Sequence, residues 1–299
     1  MQLDLGASNA AAVTRPFGAS SRLGERIFSA AVWTTAALVA GFFLWMVFDI
    51  VSHGFAKLSW AFLTEAPRNS GRKGGISTIL VSTLLILAVT LAVAVPLGVG
   101  VAVWLSEFSR RSSRTARTVN LALDALAGIP SIVFGLFGNA FFCVFLGLGF
   151  SIVSGGLTLA CMVLPILIRA TESGLSSVSH DWRRGAAALG LTKAAALRHV
   201  LLPAAAPAIT AGLLLGIGRA VAETAALVFT SGYVDRMPES LMDSGRSLAV
   251  HIYDLSMNVS GGDQAAYASA LVLIALLIAI NALAMMLSNR FLQSRIQHA

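Results

Sequence analysis

The stretch Asp181–Pro203 reads DWRRGAAALGLTKAAALRHVLLP, a polar and basic interlude between two long apolar segments. Around it the chain is very apolar. Of its 299 residues 57% are hydrophobic and only 12% charged, with a mean hydropathy of +0.80, more than a soluble globule of this size can hide. The chain therefore reads as an all-α integral membrane protein. Runs long enough to cross a hydrocarbon core of about 30 Å, roughly 20 helical residues each, lie near Ile27–Ser52, Ile76–Leu105, Leu121–Leu148, Leu157–Leu175, Ile209–Phe229 and Ala265–Leu287. Six transmembrane helices are expected, with the interlude on one face of the membrane.

Lys and Arg set the orientation. With the N-terminus inside, the cytoplasmic face holds Arg15, Arg22, Arg26, Arg110, Arg111, Arg114, Arg117, Arg183, Arg184, Lys193, Arg198, Arg290 and Arg295, 13 cations against six outside (Lys57, Arg68, Arg72, Lys73, Arg236, Arg246). Asp235, Glu239, Asp243, Asp254 and Asp263 make the last outer loop acidic. Both termini are expected in the cytoplasm, although four basic residues in the first outer loop pull the other way. The net charge of +7 then reports topology rather than nucleic-acid binding, since the cations are spread over short loops.

The expected organisation is a cytoplasmic tail (1–26), a first transmembrane helix (27–53), an extracytoplasmic loop (54–75), a five-helix core (76–288) and a cytoplasmic tail (289–299). The core carries the interlude within 180–203 and an outer loop at 231–264. The polar start and full-length first run argue against a cleaved signal peptide. Gly212 and Gly216, and Gly135 with Gly138, are spaced for close helix packing, within this bundle or at a dimer seam. Pro130 and Pro165 lie within spans and are expected to kink them. Cys143 and Cys161, both in apolar runs without CxxC spacing, read as packing residues.

Five ionisable side chains fall at membrane depth: Asp124, Arg169, Glu172, Arg219 and Glu223. Each such group at a helix centre costs about 2.5 to 3.5 kcal/mol even on the lenient insertion scale. Arg169 and Glu172 are three apart and Arg219 and Glu223 four apart, so each pair can share a helix face and neutralise itself. Such pairs either fix helix register or lend a guanidinium to an anion in an aqueous path. The planar fork of Arg suits a tetrahedral oxyanion and stays charged when dehydrated, and no Lys falls in any run. Counting helical rise from the ends of the apolar runs puts Arg219 roughly 15 Å and Arg169 roughly 10 Å from the cytoplasmic side, about one turn apart. There is no GxxxxGK[ST], HExxH or GxSxG, so neither ATP cradling by that loop nor intramembrane hydrolysis is supported. His180, His199 and His251 read as solvated loop histidines.

Within the interlude, Trp182, Ala186 and Leu189 share a face at helical spacing. Gly190 can end that helix left-handed, Thr192 can cap a second one and Pro203 closes it. Two short helices joined at a glycine make a knob that a soluble partner can grip. An ordinary interfacial amphipathic loop fits the same pattern.

The interlude resembles the loop of binding-protein-dependent ABC importer permeases, with the pattern EAA, three residues, G, nine residues, I-x-L-P. Here Gly190 is followed by nine residues and then Val200, Leu201, Leu202 and Pro203. Arg184 stands at the Glu of EAA and Gly185 at the first Ala, and only Ala186 keeps its letter. From about Gly74 to the C-terminus the chain is similar to the A-type (PstA-type) permease subunits of phosphate-specific importers. The similarity runs through GGISTILVSTLLILAVTLAVAVPLGVGVAVWLSEF, IPSIVFGLF, LPILIRATESGL, GRAVAETAALVFTSG and HIYDLS.

This resemblance implies a type I importer permease fold with a cytoplasmic coupling helix, uptake of inorganic phosphate by alternating access, and no catalytic residue or cofactor on this chain. It implies as partners a homologous PstC-type permease, two PstB-type ATPases carrying ATP and magnesium, and a PstS-type phosphate-binding protein, in a bacterial inner membrane. Together with the buried charges it puts the expected substrate path at Arg169, Arg219, Glu172 and Glu223, as two successive stations or one shared site, with hydroxyls of Thr171 or Thr224 and with Asp124 orienting an arginine. It places the ATPase contact at Arg184, Ala186, Leu189, Gly190, Leu191, Leu202 and Pro203. A permease for molybdate, sulfate or phosphonate and a stand-alone secondary anion carrier are the alternatives.

Overall fold

The computed structural model describes the backbone of residues 19–109 and 113–296 and the side chains of residues 24–109 and 113–286. Most of the expected N-terminal tail, Arg15, Arg110, Arg111 and residues 297–299 lie outside the described residues, as do the side chains of Arg22, Arg290 and Arg295.

The chain is helical nearly throughout, because in a bilayer only intrahelical bonds can satisfy the backbone of a single crossing segment. Residues up to Ile50 form one unit, most of helix α1 (Ala19–Phe55), which is apolar all round and exposed. The second unit starts at Val51. It contains the short helix α2 (Trp60–Thr64), a two-stranded hairpin, β1 (Pro67–Arg68) and β2 (Lys73–Gly74), and helix α3 (Ser77–Val103), which continues as a π-helical turn, Trp104–Phe108. After α4 (Arg114–Gly128) come α5 (Ser131–Gly138) with a π-helical extension to Phe145, and α6 (Ile152–Ser177). The surface helices α7 (His180–Ala188) and α8 (Lys193–Ala196) lead through a π-helical turn, Leu197–Leu201, into α9 (Leu202–Val221). The last elements are α10 (Ala225–Val228), α11 (Leu248–Met257) and α12 (Asp263–Ile296).

Five helical stretches among the described residues are long and apolar enough to span, and the count is six if α4 and α5 with its extension form one bent span. That pair is bent by 107°. Pro130 forces Ile129 out of helical geometry (φ −75°, ψ 130°), so the apolar run expected as one helix kinked at Pro130 is broken there into two helices. Pro165, by contrast, does not break its helix: α6 runs unbroken from Ile152 to Ser177.

Helix α6 is the centre of the bundle, with 15 of its 26 residues buried against α3, α4, α5 and α9. Ile86, Leu159, Val163, Ile217 and Leu227 are its main core contributors. Small residues set the α6–α9 contact. A Cβ on Gly174 would fall 2.6 Å from Ala208 Cβ and one on Gly216 2.6 Å from Val163 Cγ1, while Gly212 lies against Ala170. The glycines of the GxxxG thus pack inside this chain. Two buried hydroxyls of α3 return to their own helix, Thr83 Oγ1 donating to Ile79 O (2.7 Å) and Thr90 Oγ1 to Ile86 O (2.8 Å), so these two carry no unmet polar group into the core.

On the side opposite α7, the hairpin, the 231–247 loop and α11 form a cap. Arg246 is its hub: Nε donates to Tyr233 O (2.8 Å), and Nη1 pairs with Asp254 (3.1 Å) and meets His251 Nδ1 (3.4 Å). His251, expected to be solvated, is completely buried. Gly71, at φ +85°, comes so close over the ring that a Cβ there would lie 2.6 Å from Cε1. Burial, reinforced by the adjacent Arg246, lowers the imidazole pKa to about 4. An uncharged ring accepting at Nδ1 fits Arg246 as donor.

Candidate functional site

The guanidinium groups of Arg169 and Arg219 lie within helices long and apolar enough to span, in different surroundings. Arg169 projects from α6 towards α4, where Asn120 and Asp124, four apart, share one helix face. Its Nη1 donates to Asn120 Oδ1 (2.7 Å) and Glu172 Oε2 (3.1 Å), and its Nη2 to Asp124 Oδ1 (2.6 Å) and Asn120 O (3.3 Å). The expected Arg169–Glu172 pair forms, and Asp124 pairs with the same arginine. Two carboxylates thus bracket this cation, which is 39% exposed. Thr171 next to it is fully buried, and its hydroxyl has no partner among the described residues.

Arg219 stands in the last turn of α9, exposed, where the helix dipole favours a cation. The ion pairs among the described residues do not include it. Its expected partner on the same helix face fails to form, because α9 ends at Val221 and Glu223 lies beyond that end. Glu223 is instead buried, with Oε1 accepting from Ala226 N (3.2 Å) at the start of α10. The apolar run expected as one helix to Phe229 is therefore interrupted at Ala222–Thr224. Thr224 lines a cavity of about 380 Å³ together with Ile132, Ala225, Val228 and Phe229, and with Tyr233 and Tyr253 from the cap side.

The α6–α9 register gives the relative depth. Gly174 opposite Ala208, Gly212 opposite Ala170 and Gly216 opposite Val163 define antiparallel neighbours, so Arg169 is level with about residue 213. Arg219 lies some six residues further towards the cap, about 9 Å by helical rise. The expected separation of one turn is thus too small. It assumed that the helix begins at Ile209, whereas the helical run begins at Lys193.

At the opposite end, Gly190 adopts φ +71° and ends α7, and Thr192 Oγ1 accepts from Ala195 N (3.2 Å) to start α8, as the spacing predicts. Trp182, Ala186 and Leu189 follow the helical spacing of α7, with Ala186 buried and Trp182 and Leu189 exposed, Leu189 by 81%. One expectation fails here, at Pro203, which does not close the second helix. The π-helical turn Leu197–Leu201 precedes Leu202 and Pro203, and the helix runs on to Val221. Arg184 pairs with Asp181 at 2.5 Å within α7, both side chains well exposed, so its charge is met locally. Leu191 is exposed beside Leu189, which makes the knob's tip apolar and nearly neutral.

Sequence reasoning missed Asn120 and Glu107. Asn120 is signalled by its place four residues before Asp124. Glu107, which pairs with Arg183, is signalled as an acidic residue closing an otherwise apolar span. No group of three or more metal-ligating side chains occurs among the described residues, and Cys143 and Cys161 are free thiols.

Residues 94–298 match the family described as "Binding-protein-dependent transport system inner membrane component". The chain is 30% identical over 250 residues to a probable ABC transporter permease protein, YqgI, of Bacillus subtilis, covering 79% of this chain and 83% of that protein. It is 30% identical over 277 residues to the phosphate transport system permease protein PstA of Mycobacterium leprae, covering 91% and 90%. Among solved structures, a bacterial ABC transporter involved in import of the acidic polysaccharide alginate shares the fold, with a TM-score of 0.60 at 15% identity over 90% of this chain and 99% of that one. With five to six apolar spans among the described residues and a surface helix pair of the right spacing, the chain belongs to the inner-membrane component family of binding-protein-dependent transport systems, the multi-pass permease subunits of ABC importers.

Proposed function

We propose that this chain is a PstA-type subunit that imports inorganic phosphate. It would form half of the path with a PstC-type permease, two PstB-type ATPases would hydrolyse ATP with magnesium beneath it, and a PstS-type protein would deliver the anion. Both termini are then cytoplasmic, α7 and α8 face the ATPase, and the cap faces the binding protein. The observation that carries the reading is Arg219: an exposed guanidinium at membrane depth, without an ion-pair partner among the described residues, beside a helix break. A cation already neutralised gains little from an anion. An unpaired one gains a charge-assisted, bidentate contact.

The path follows from the depths. Phosphate enters past the cavity at Thr224, Tyr233 and Tyr253 and meets Arg219 first. About 9 Å further in, by helical rise, it meets Arg169, where it must compete with Asp124 and Glu172 for the guanidinium. Thr224 supplies a hydroxyl to the anion at the break, and Thr171 does so only when its helix surroundings open. Arg169 thus opens only when those carboxylates let go. The apolar tip formed by Leu189, Gly190 and Leu191 docks on the ATPase by shape, with Ala186 seating α7 and Leu202 and Pro203 carrying its motion into α9. The neutralised Arg184 takes no counter-ion from the ATPase. Closure of the ATPases opens the path outward and hydrolysis resets it.

The test is the assembled complex in liposomes, with labelled phosphate uptake challenged by sulfate, molybdate and a phosphonate. Only unlabelled phosphate is expected to compete at equimolar concentration. Equal competition by another oxyanion would overturn the phosphate assignment, and uptake without the ATPases would favour a secondary carrier.

A further inference from the structure

Arg183 joins three elements. Its Nη2 donates to Glu107 Oε1 (2.6 Å) and to Leu175 O (2.8 Å), its Nη1 to Val178 O (2.7 Å) and its Nε to Glu107 Oε2 (3.4 Å). Glu107 lies in the π-helical turn that ends the α3 run, whereas Leu175 and Val178 carry the carbonyls at the C-terminal end of α6. Leu175 O otherwise accepts only a long bond from Val178 N (3.4 Å), and a cation is favoured at such a helix end. The Arg183 and Glu107 side chains are only 23% and 17% exposed. The neighbouring pair, Arg184–Asp181, is 79% and 77% exposed and stays within α7. Of two consecutive arginines, one spans elements and the other does not.

The attachment of α7 to α6 comes with the chain, through Ser179. Its attachment to α3 does not. A cavity of about 220 Å³, lined by Phe108, Ala187, Leu191 and Lys193, lies against the ion pair. Packing on that side therefore leaves α7 unsupported, and the Arg183–Glu107 pair is what reaches across. Arginine is needed for this, since one guanidinium must serve a carboxylate and two carbonyls at fixed angles.

We propose that Arg183 and Glu107 form a positioning joint for coupling, which makes the ends of α3 and α6 move together with α7 when the ATPase displaces it. The inference rests on the reading of α7 as the ATPase contact. It does not depend on which anion is carried.

The test uses the full complex in liposomes, with uptake and ATP hydrolysis measured in parallel for wild type, Glu107→Gln and Arg183→Lys. Uptake per ATP hydrolysed is expected to fall about tenfold in Glu107→Gln, a loss of one charge-assisted contact, with complex yield and basal hydrolysis kept. Arg183→Lys, which retains the charge but not the fork, is expected to fall in between. A second readout is independent of the substrate: the distance between spin labels at Leu189 and Phe108, without nucleotide and with a non-hydrolysable ATP analogue. It is expected to stay constant in wild type and to change in Glu107→Gln. A wild-type distance that changes with nucleotide, or a Glu107→Gln complex with the wild-type ratio of uptake to hydrolysis, would overturn the joint. If the wild type hydrolyses ATP but carries no phosphate, the substrate assignment fails, and the distance measurement still decides on the joint.

Discussion

Arg169 and Arg219 sit on neighbouring antiparallel helices, yet one is held by two carboxylates and an asparagine while the other is exposed with no ion-pair partner among the described residues. The difference comes from backbone rather than residue type. On α6 the helix continues past Arg169, so Glu172 falls one turn away on the same face. On α9 the helix stops at Val221, and the glutamate at the matching spacing turns to the N–H of Ala226 instead. The same pair of side chains can therefore be a lock in one place and an open cation in another, depending on whether a helix continues for one more turn.

The sharpest way to break this contrast is charge reversal. Arg219→Glu places a carboxylate where the anion is expected and should lower uptake by about 1,000-fold, about 4 kcal/mol of lost attraction and added repulsion, in labelled-phosphate uptake. Uptake within tenfold of wild type would mean that Arg219 faces lipid or a partner rather than the path.

The cap offers an independent check on what burial without a full set of partners does. His251 is buried, Nε2 has no partner among the described residues, and its pKa is lowered to about 4 from 6.5. A depressed histidine pKa means that the unfolded chain binds the proton more readily. The stability is therefore complete above about pH 6.5 and is lost as pH falls from there towards 4, by about 3 kcal/mol in total. Thermal denaturation of the purified complex between pH 7.5 and 4.5 should show this loss, and His251→Gln should flatten the slope. A profile unchanged by that substitution would place the titration elsewhere.

The register that separates the two arginines can be strained directly. Gly216→Val adds side-chain atoms against Val163, and overpacking of this kind costs about 1–3 kcal/mol. The melting temperature should drop, and uptake should drop with it as the relative depth of Arg169 and Arg219 shifts. The smallest effect is expected at Asp124, whose side chain is 69% exposed. Asp124→Asn should cost less than about 1 kcal/mol, because solvent screens the pair, and should leave uptake within about threefold. A large loss there would make Asp124 part of the path rather than an orienting group.

Much of this was legible in the sequence because the membrane leaves few choices. The apolar runs at α3, α6 and α12 become helices since no other local structure satisfies their backbone. Gly190 and Thr192 announce their turn and cap by residue type alone. The Arg169–Glu172 pair needed only helical spacing. The illegible parts depend on where a helix ends or on distant contacts. Neither glycine nor proline marks the stop after Val221, so the spacing of Arg219 and Glu223 suggested a pair that the backbone does not make. The start of α4 was hidden because Arg114 and Arg117 make it amphipathic rather than apolar. His251 is buried because Gly71 of the hairpin closes over it, a contact that no local pattern encodes. Asn120 and Glu107 were passed over because each gains its role only from an arginine on another element.

The central claim is that the unpaired guanidinium of Arg219 receives the anion first and that the bracketed Arg169 is a second station, which its carboxylates also tie to the bundle. It is tested most directly by measuring ATP-driven phosphate uptake and complex yield for Arg219→Gln and Arg169→Gln side by side in the reconstituted complex. Arg219→Gln should keep its yield and lose uptake about 100-fold, whereas Arg169→Gln should also lose yield and thermal stability and lower uptake per assembled complex less, by about tenfold. The reverse pattern, with uptake intact in Arg219→Gln and abolished in a stable Arg169→Gln complex, would contradict the account.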